Sequence, residues 1–160
     1  HKHQKGIKEL TIVENHGYII APLVIRPVNV HDSLLVGSAL EKLLETGDLL
    51  GISYGGSSFT LDSGFDAQSI RASLEWNNFI PAIKPNRRGE KNEERLQELS
   101  DSYDHTIYKK RFIIERTFAW ADTYRKLVTR YEILESTHVG YKYLAYTMIN
   151  LRSFFGGNSL

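Results

Sequence analysis

A chain of 160 residues, 41% of them hydrophobic, is long enough to build one ordinary globular domain and too apolar to read as disordered or collagen-like. It contains no cysteine, so disulfides and thiolate metal sites are excluded, and any metal must sit on carboxylate or imidazole. The longest apolar stretch, Tyr141 to Phe155, is interrupted by Lys142, Asn150 and Arg152; it is too polar and too short to cross a bilayer, and the first residues do not read as a signal peptide.

The elements read in chain order as follows. Residues 6 to 14 and 18 to 28 are rich in Ile, Val, Leu and Thr, and Asn15-His16-Gly17 between them is turn chemistry, so residues 6–28 are expected to form a β-hairpin. Pro22 and Pro27 argue that its second strand is bulged or near an edge. His31-Asp32-Ser33 offers a helix start, and Leu34, Leu35, Ala39, Leu40, Leu43 and Leu44 follow at helical spacing to Gly47. A Gly/Ser loop at Tyr54 to Ser58 leads to the apolar run Phe59-Thr60-Leu61, which ends at Asp62. Asp66 is expected to cap a helix over Ala67 to Trp76, and Ile80-Pro81-Ala82-Ile83 reads as another short strand. Residues 89–106 form an acidic linker or short helix, residues 107–127 a long helix, and Val139 to about Phe155 a last apolar helix. The order β-β-α-β-α-β followed by helices suits a single α/β layer structure over residues 1–160.

Charge is more informative by position than by sum. The net charge of +1 conceals an acidic stretch, Gly89 to Asp104, with six acids against Lys91 and Arg95. It is followed by a basic one, Thr106 to Tyr131, with seven bases against Glu115 and Asp122. Bases interleaved with aromatics suit a phosphate backbone, although on charge alone a solvated helix face is the simpler account.

Two places could carry chemistry. At about 100° per residue, Tyr108, Arg111, Glu115 and Asp122 fall within about 60° of one another on a helix, and Lys126 joins them. Ile113, Ile114, Thr117, Trp120, Ala121 and Tyr124 occupy the opposite side, which would dock on a core. Ala119 leaves space beside the polar stripe. Helical spacing by itself favours no more than an Arg111–Glu115 ion pair, worth about 0.3–0.5 kcal/mol if exposed. Asp62 closes an apolar strand, where α/β proteins bind ligands; its plainer account is a turn residue with Gly64. An acid on a strand end and another on a helix are together the kind of pair that holds Mg²⁺. The six histidines show no pair at zinc spacing and read as turn, cap or surface residues, and Tyr141, Tyr143, Tyr146, Phe154 and Phe155 read as core.

These residues meet a known pattern. Leu61-Asp62-Ser63-Gly64-Phe65-Asp66 resembles the segment holding the second catalytic Asp of DDE-type insertion-sequence transposases, and Ile80 to Arg88 resembles the strand and basic turn after it. Tyr108, Arg111 and Glu115 match the first three places of that family's Tyr-Arg-Glu-Lys signature, with the right gaps. Val28 to Asp32 and Thr129-Arg130-Tyr131 are similar to it as well, so the resemblance covers essentially the whole chain. Two departures stand out. The signature's Lys falls at Asp122, with Lys126 one turn later as a substitute, and the family's first catalytic Asp belongs on a strand before residue 1.

The resemblance implies a ribonuclease-H-like mixed sheet flanked by helices, its first strand missing here. It implies a transposase that cleaves DNA ends and transfers strands, with Asp62, Glu115 and the absent Asp binding two Mg²⁺ (or Mn²⁺) ions. Tyr108, Arg111, Lys126, Lys84, Arg87 and Arg88 would contact DNA. The implied partners are double-stranded DNA, as element ends and target, and a second copy when the protein is complete; the implied location is a bacterial-type cytoplasm. A structure-selective nuclease and a catalytically dead DNA-binding remnant are the alternatives, and the fragment alone is expected not to cut DNA.

Overall fold

The expected hairpin forms where the β-rich runs flank Asn15-His16-Gly17. Strand β1 (Ile7–Leu10) pairs antiparallel with β2 (Val24–Pro27), with Ile7 opposite Pro27 and Leu10 opposite Val24. A single bridge, Val13 to Ile19, closes the tip. The computed structural model describes residues 6–86, 92–101, 103–128, 132 and 134–156. The chain divides into two compact units: His1–Ile12 with Ala21–Arg111, and Val13–Ile20 with Phe112–Leu160.

In the first unit, α1 (Asp32–Leu50) turns Leu35, Val36, Ala39, Leu40 and Leu43 inward, each at most 3% exposed. At about 100° per residue these five span one stripe, which is why the helix docks by that face. Leu35 and Ala39 meet Val24 of the hairpin, with Leu10, Ile12 and Val30 around them. The Lys8 ammonium ties the hairpin to the helix start, donating to Asp32 Oδ1 at 2.7 Å and to the Val30 carbonyl at 3.1 Å. The helix runs one turn beyond the expected stop at Gly47. It ends at Gly51, whose φ of +68° suits glycine, and the Ile52 amide returns to the Gly47 carbonyl in a Schellman closure.

Strand β3 (Ser58–Leu61), helix α2 (Gln68–Trp76) and strand β4 (Ile80–Ile83) form a βαβ unit, in which β3 and β4 pair in parallel with Leu61 opposite Ile83. Ile70 and Leu74, one helical turn apart, are the buried side of α2, which rests on β4. Among the described residues the strands make two separate two-stranded sheets, β1-β2 and β3-β4. Asp66 does not cap α2. Its N-cap is Ala67, which makes no side-chain cap bond. The Asp66 carboxylate is instead engaged by Arg71 and by the Asn86 amide. The acidic stretch contains α3 (Glu93–Asp101).

The segment 107–127, expected as one helix, consists of α4 (His105–Lys109), α5 (Phe112–Ala121) and α6 (Arg125–Val128). The breaks have local causes. The amides of Lys110 and Arg111 bond only three residues back, to Ile107 and Tyr108, tightening the chain into a turn. At the second break the Thr123 hydroxyl takes the Trp120 carbonyl at 2.7 Å, competing with the helix ladder. Helix α4 lies against β3 and β4 in the first unit.

In the second unit, α5 and α6 pack on α7 (Glu135–Phe155). Ile113, Thr117 and Ala121, at i, i+4 and i+8, are the buried edge of α5. The buried Thr117 hydroxyl bonds the Ile113 and Gly17 carbonyls at 3.1 and 3.3 Å. The side-chain amide of Asn150 on α7 bonds both backbone groups of Ile19, accepting at 3.0 Å and donating at 2.9 Å, as a neighbouring strand would. Two expectations are corrected here. His138 is a buried residue of α7, 4% exposed, because it falls on the face shared with Ala145, Tyr146 and Ile149. Tyr143, Phe154 and Phe155 lie off that face and are exposed rather than core.

Gly17 has φ +100°, and a Cβ there would meet Arg116, Thr117 and Trp120 at 3.4 Å. Gly17→Ala should therefore cost about 1–3 kcal/mol. Gly6→Ala, where a Cβ meets only Val28 at 3.9 Å, should stay within about 0.5 kcal/mol. Chemical denaturation of the two variants checks the difference.

Candidate functional site

The first unit gathers four of the candidate residues on or beside one small sheet. Leu61 and Ile83 are buried partners in register, so the next residues, Asp62 and Lys84, leave the C-terminal ends of adjacent parallel strands, whose spacing is about 4.8 Å. Both side chains are exposed. Asp62 opens the 3-10 turn Ser63–Phe65, and its Oδ1 accepts from the Ser63 amide at 2.6 Å and the Ser63 hydroxyl at 3.3 Å. Its Oδ2 has no hydrogen-bond partner among the described residues. One carboxylate oxygen is thus held and the other is not.

Helix α4 brings Tyr108 to the same two strands. Tyr103, buried beneath, meets the Tyr108 ring edge-on at 5.5 Å, and the Arg111 guanidinium lies 5.6 Å from the Tyr108 ring centre. A cation over a ring face is attracted by the ring quadrupole. Arg111 itself lies in the turn after α4. The helical periodicity that aligned Tyr108 with Glu115 is therefore interrupted at Lys110 and Arg111.

Asp104 starts α4, and its carboxylate accepts from the Thr106 and Ile107 amides at 2.7 and 3.1 Å. These bonds favour the charged form, first the one from Ile107 and then the one from Thr106, and hold the acid below its ordinary value of 3.8. A lowered folded value means that the cap stabilises α4 above the unfolded pKa and is lost as pH falls through the folded one. The Thr106 and Ile107 amide proton shifts should titrate together with a midpoint below 3.8, and not at all in Asp104→Ala. A midpoint at or above 3.8 would contradict this account.

Glu115 belongs to the second unit, in the first turn of α5, where it is exposed on the side away from buried Thr117. Ala119, one turn on, is exposed too, and so is Asp122 just after the helix. Lys126 lies within α6. Arg87 and Arg88 lie outside the described residues.

Sequence reasoning missed the partners of Asp66. Its Oδ1 is bonded by Arg71 through Nε at 2.9 Å and Nη2 at 2.7 Å, and its Oδ2 by the Asn86 amide at 2.7 Å. An acid just before a helix and an Arg in its first turns were the available signal.

Asp62 and Glu115 are each exposed carboxylates, the kind of oxygen donor that a hard cation takes. Among the described residues, no three Asp, Glu or His side chains are gathered closely enough to hold a metal by themselves.

A family model described as the Transposase DDE domain matches residues 1–148. The chain belongs to that family. No curated protein and no solved structure gives a significant match. Membership makes this a domain of endonuclease-type transposition enzymes that act on DNA, and the mixed α/β arrangement of small sheets flanked by helices is consistent with a DDE transposase domain. No helix among the described residues is long and apolar enough to cross a membrane.

Proposed function

We propose that this DDE domain is the catalytic part of an insertion-sequence transposase of the Tyr-Arg-Glu-Lys branch, with a ribonuclease-H-like core. It would cut double-stranded DNA at its element's ends and join them to a target. The observation that carries this reading is that Asp62 and Lys84 follow the paired ends of adjacent parallel strands, with the Tyr108 helix against the same strands, in a chain matched by the family over residues 1–148.

In this reading the carboxylates of Asp62 and Glu115 would hold divalent metal. When bound, Mg²⁺ or Mn²⁺ supplies Lewis-acid stabilisation of an in-line displacement at phosphorus. The chain's own residues do the positioning. The Ser63 amide fixes one oxygen of Asp62 and leaves the other for the metal. Arg111, oriented over Tyr108, presents a planar fork to a DNA phosphate. Lys84 adds positive charge beside Asp62, and Arg87, Arg88 and Lys126 would be further cations for DNA phosphate. The protein acts as a homodimer, one copy for each DNA end.

The test is incubation of the full-length protein with DNA carrying its element's ends and a target, with and without Mg²⁺. Cut ends covalently joined to target are the expected product. Cutting without joining would reassign the protein as a nuclease, and salt-sensitive binding without cutting would make it a DNA-binding remnant.

A further inference from the structure

We propose that Asp66 and Arg71 are a positioning pair for Asp62, bracing the turn that bears it against the end of β4; this rests on the reading of Asp62 as a metal-holding carboxylate. The local bonds of the Asp62 turn close only on itself: the Phe65 amide bonds the Asp62 carbonyl at 2.9 Å, and the Asp66 amide bonds that of Ser63 at 3.3 Å. Nothing in those bonds refers the turn to the neighbouring strand.

Asp66 and Arg71 supply that reference. Arg71 donates to Asp66 Oδ1 through Nε, its Nη2 lies 2.7 Å from the same oxygen in an ion pair, and Nη2 donates to the carbonyl of Ile83, the last residue of β4, at 2.9 Å. The other oxygen of Asp66 takes the Asn86 amide at 2.7 Å. One ion pair therefore joins the end of the Asp62 turn, helix α2, the end of β4 and the segment following Lys84. The side chains are 18% and 26% exposed for Asp66 and Arg71, so water competes weakly for these charge-assisted bonds. Both oxygens of Asp66 are committed inward while Oδ2 of Asp62 is not. This division of labour is what separates a supporting carboxylate from a ligating one, and supports of this kind typically tune metal affinity about 10- to 100-fold.

Mn²⁺ titration of the full-length protein, followed by the electron paramagnetic resonance signal of the free ion, tests the pair. Asp66→Asn abolishes the ion pair and leaves one acceptor oxygen for Arg71 or the Asn86 amide. Arg71→Lys keeps a cation but has a single nitrogen for two acceptors. Each should weaken Mn²⁺ binding about 10- to 100-fold, and excess Mg²⁺ should restore cleavage towards the parent rate. A pair that only stabilised the fold would lower the melting temperature and leave the Mn²⁺ affinity unchanged, which overturns the proposal. So does failure of both variants to fold. Asp62→Asn is the control that separates the two readings. If it binds Mn²⁺ as the parent does, Asp62 is no metal ligand and both fall; if it loses Mn²⁺ while the two brace variants do not, the brace alone falls.

Discussion

Glu115→Gln in the full-length protein should reduce metal-dependent cleavage of DNA ends by at least about a thousandfold, and Asp62→Asn should match it. Removing an anionic ligand forfeits several kcal/mol of transition-state charge stabilisation, and each 1.36 kcal/mol is about a factor of ten in rate. The folds of both variants should survive. Glu115 is exposed on α5, where a near-isosteric change costs about 0.5 kcal/mol or less. At position 62 an Asn carbonyl oxygen can still accept from the Ser63 amide, so the turn keeps its cap. Binding to DNA in Ca²⁺ should remain near the parent level, because the proposed phosphate contacts lie on other side chains. Parent-like cutting by either variant would remove that residue from the active site.

The second large effect concerns stability, and it reverses the order that side-chain size suggests. Leu74→Ala should destabilise the first unit by about 2–5 kcal/mol, whereas Trp76→Ala, two residues away on the same helix, should change stability by about 0.5 kcal/mol or less. Leu74 is fully buried where α2 rests on β4, so truncation leaves a cavity lined by groups that cannot collapse freely. Trp76 is 89% exposed and loses little contact on truncation. Urea denaturation of both variants decides the matter; equal midpoints would mean that α2 does not dock through Leu74. Because β4 is the partner of the strand ending in Asp62, the Leu74 variant should also lose metal-dependent activity near its melting temperature before its secondary structure is lost.

Much of the fold was legible because local chemistry and tertiary packing agree. The turn residues Asn15-His16-Gly17 located the hairpin, and the apolar spacing from Leu35 to Leu43 located α1 with its buried face. Two inferences failed where periodicity cannot see hydrogen bonds. Segment 107–127 has helical spacing throughout, yet three-residue bonds at Lys110 and Arg111 and the Thr123 hydroxyl break it into pieces. Asp66 has the sequence context of an N-cap, but an Arg in the first turns of α2 and the Asn86 amide, distant in sequence, outcompete the helix amides. His138 was likewise invisible as a core residue, since a polar ring on an apolar helix face is read from composition as surface. For the site, motif spacing named Asp62, Tyr108, Arg111 and Glu115. The adjacency of Asp62 to Lys84 required strand register, which the sequence does not encode in any single residue.

The amide of Asn150 that completes the edge of Ile19 has a consequence for how the protein is made. Those two residues are 131 positions apart in the chain. A ribosome adding roughly 5–20 residues per second finishes the hairpin tip many seconds before its partner exists. Through that interval Ile19 must offer its backbone groups to water or to any passing strand edge. Residues 13–20 therefore take their last backbone partner only once α7 has been made.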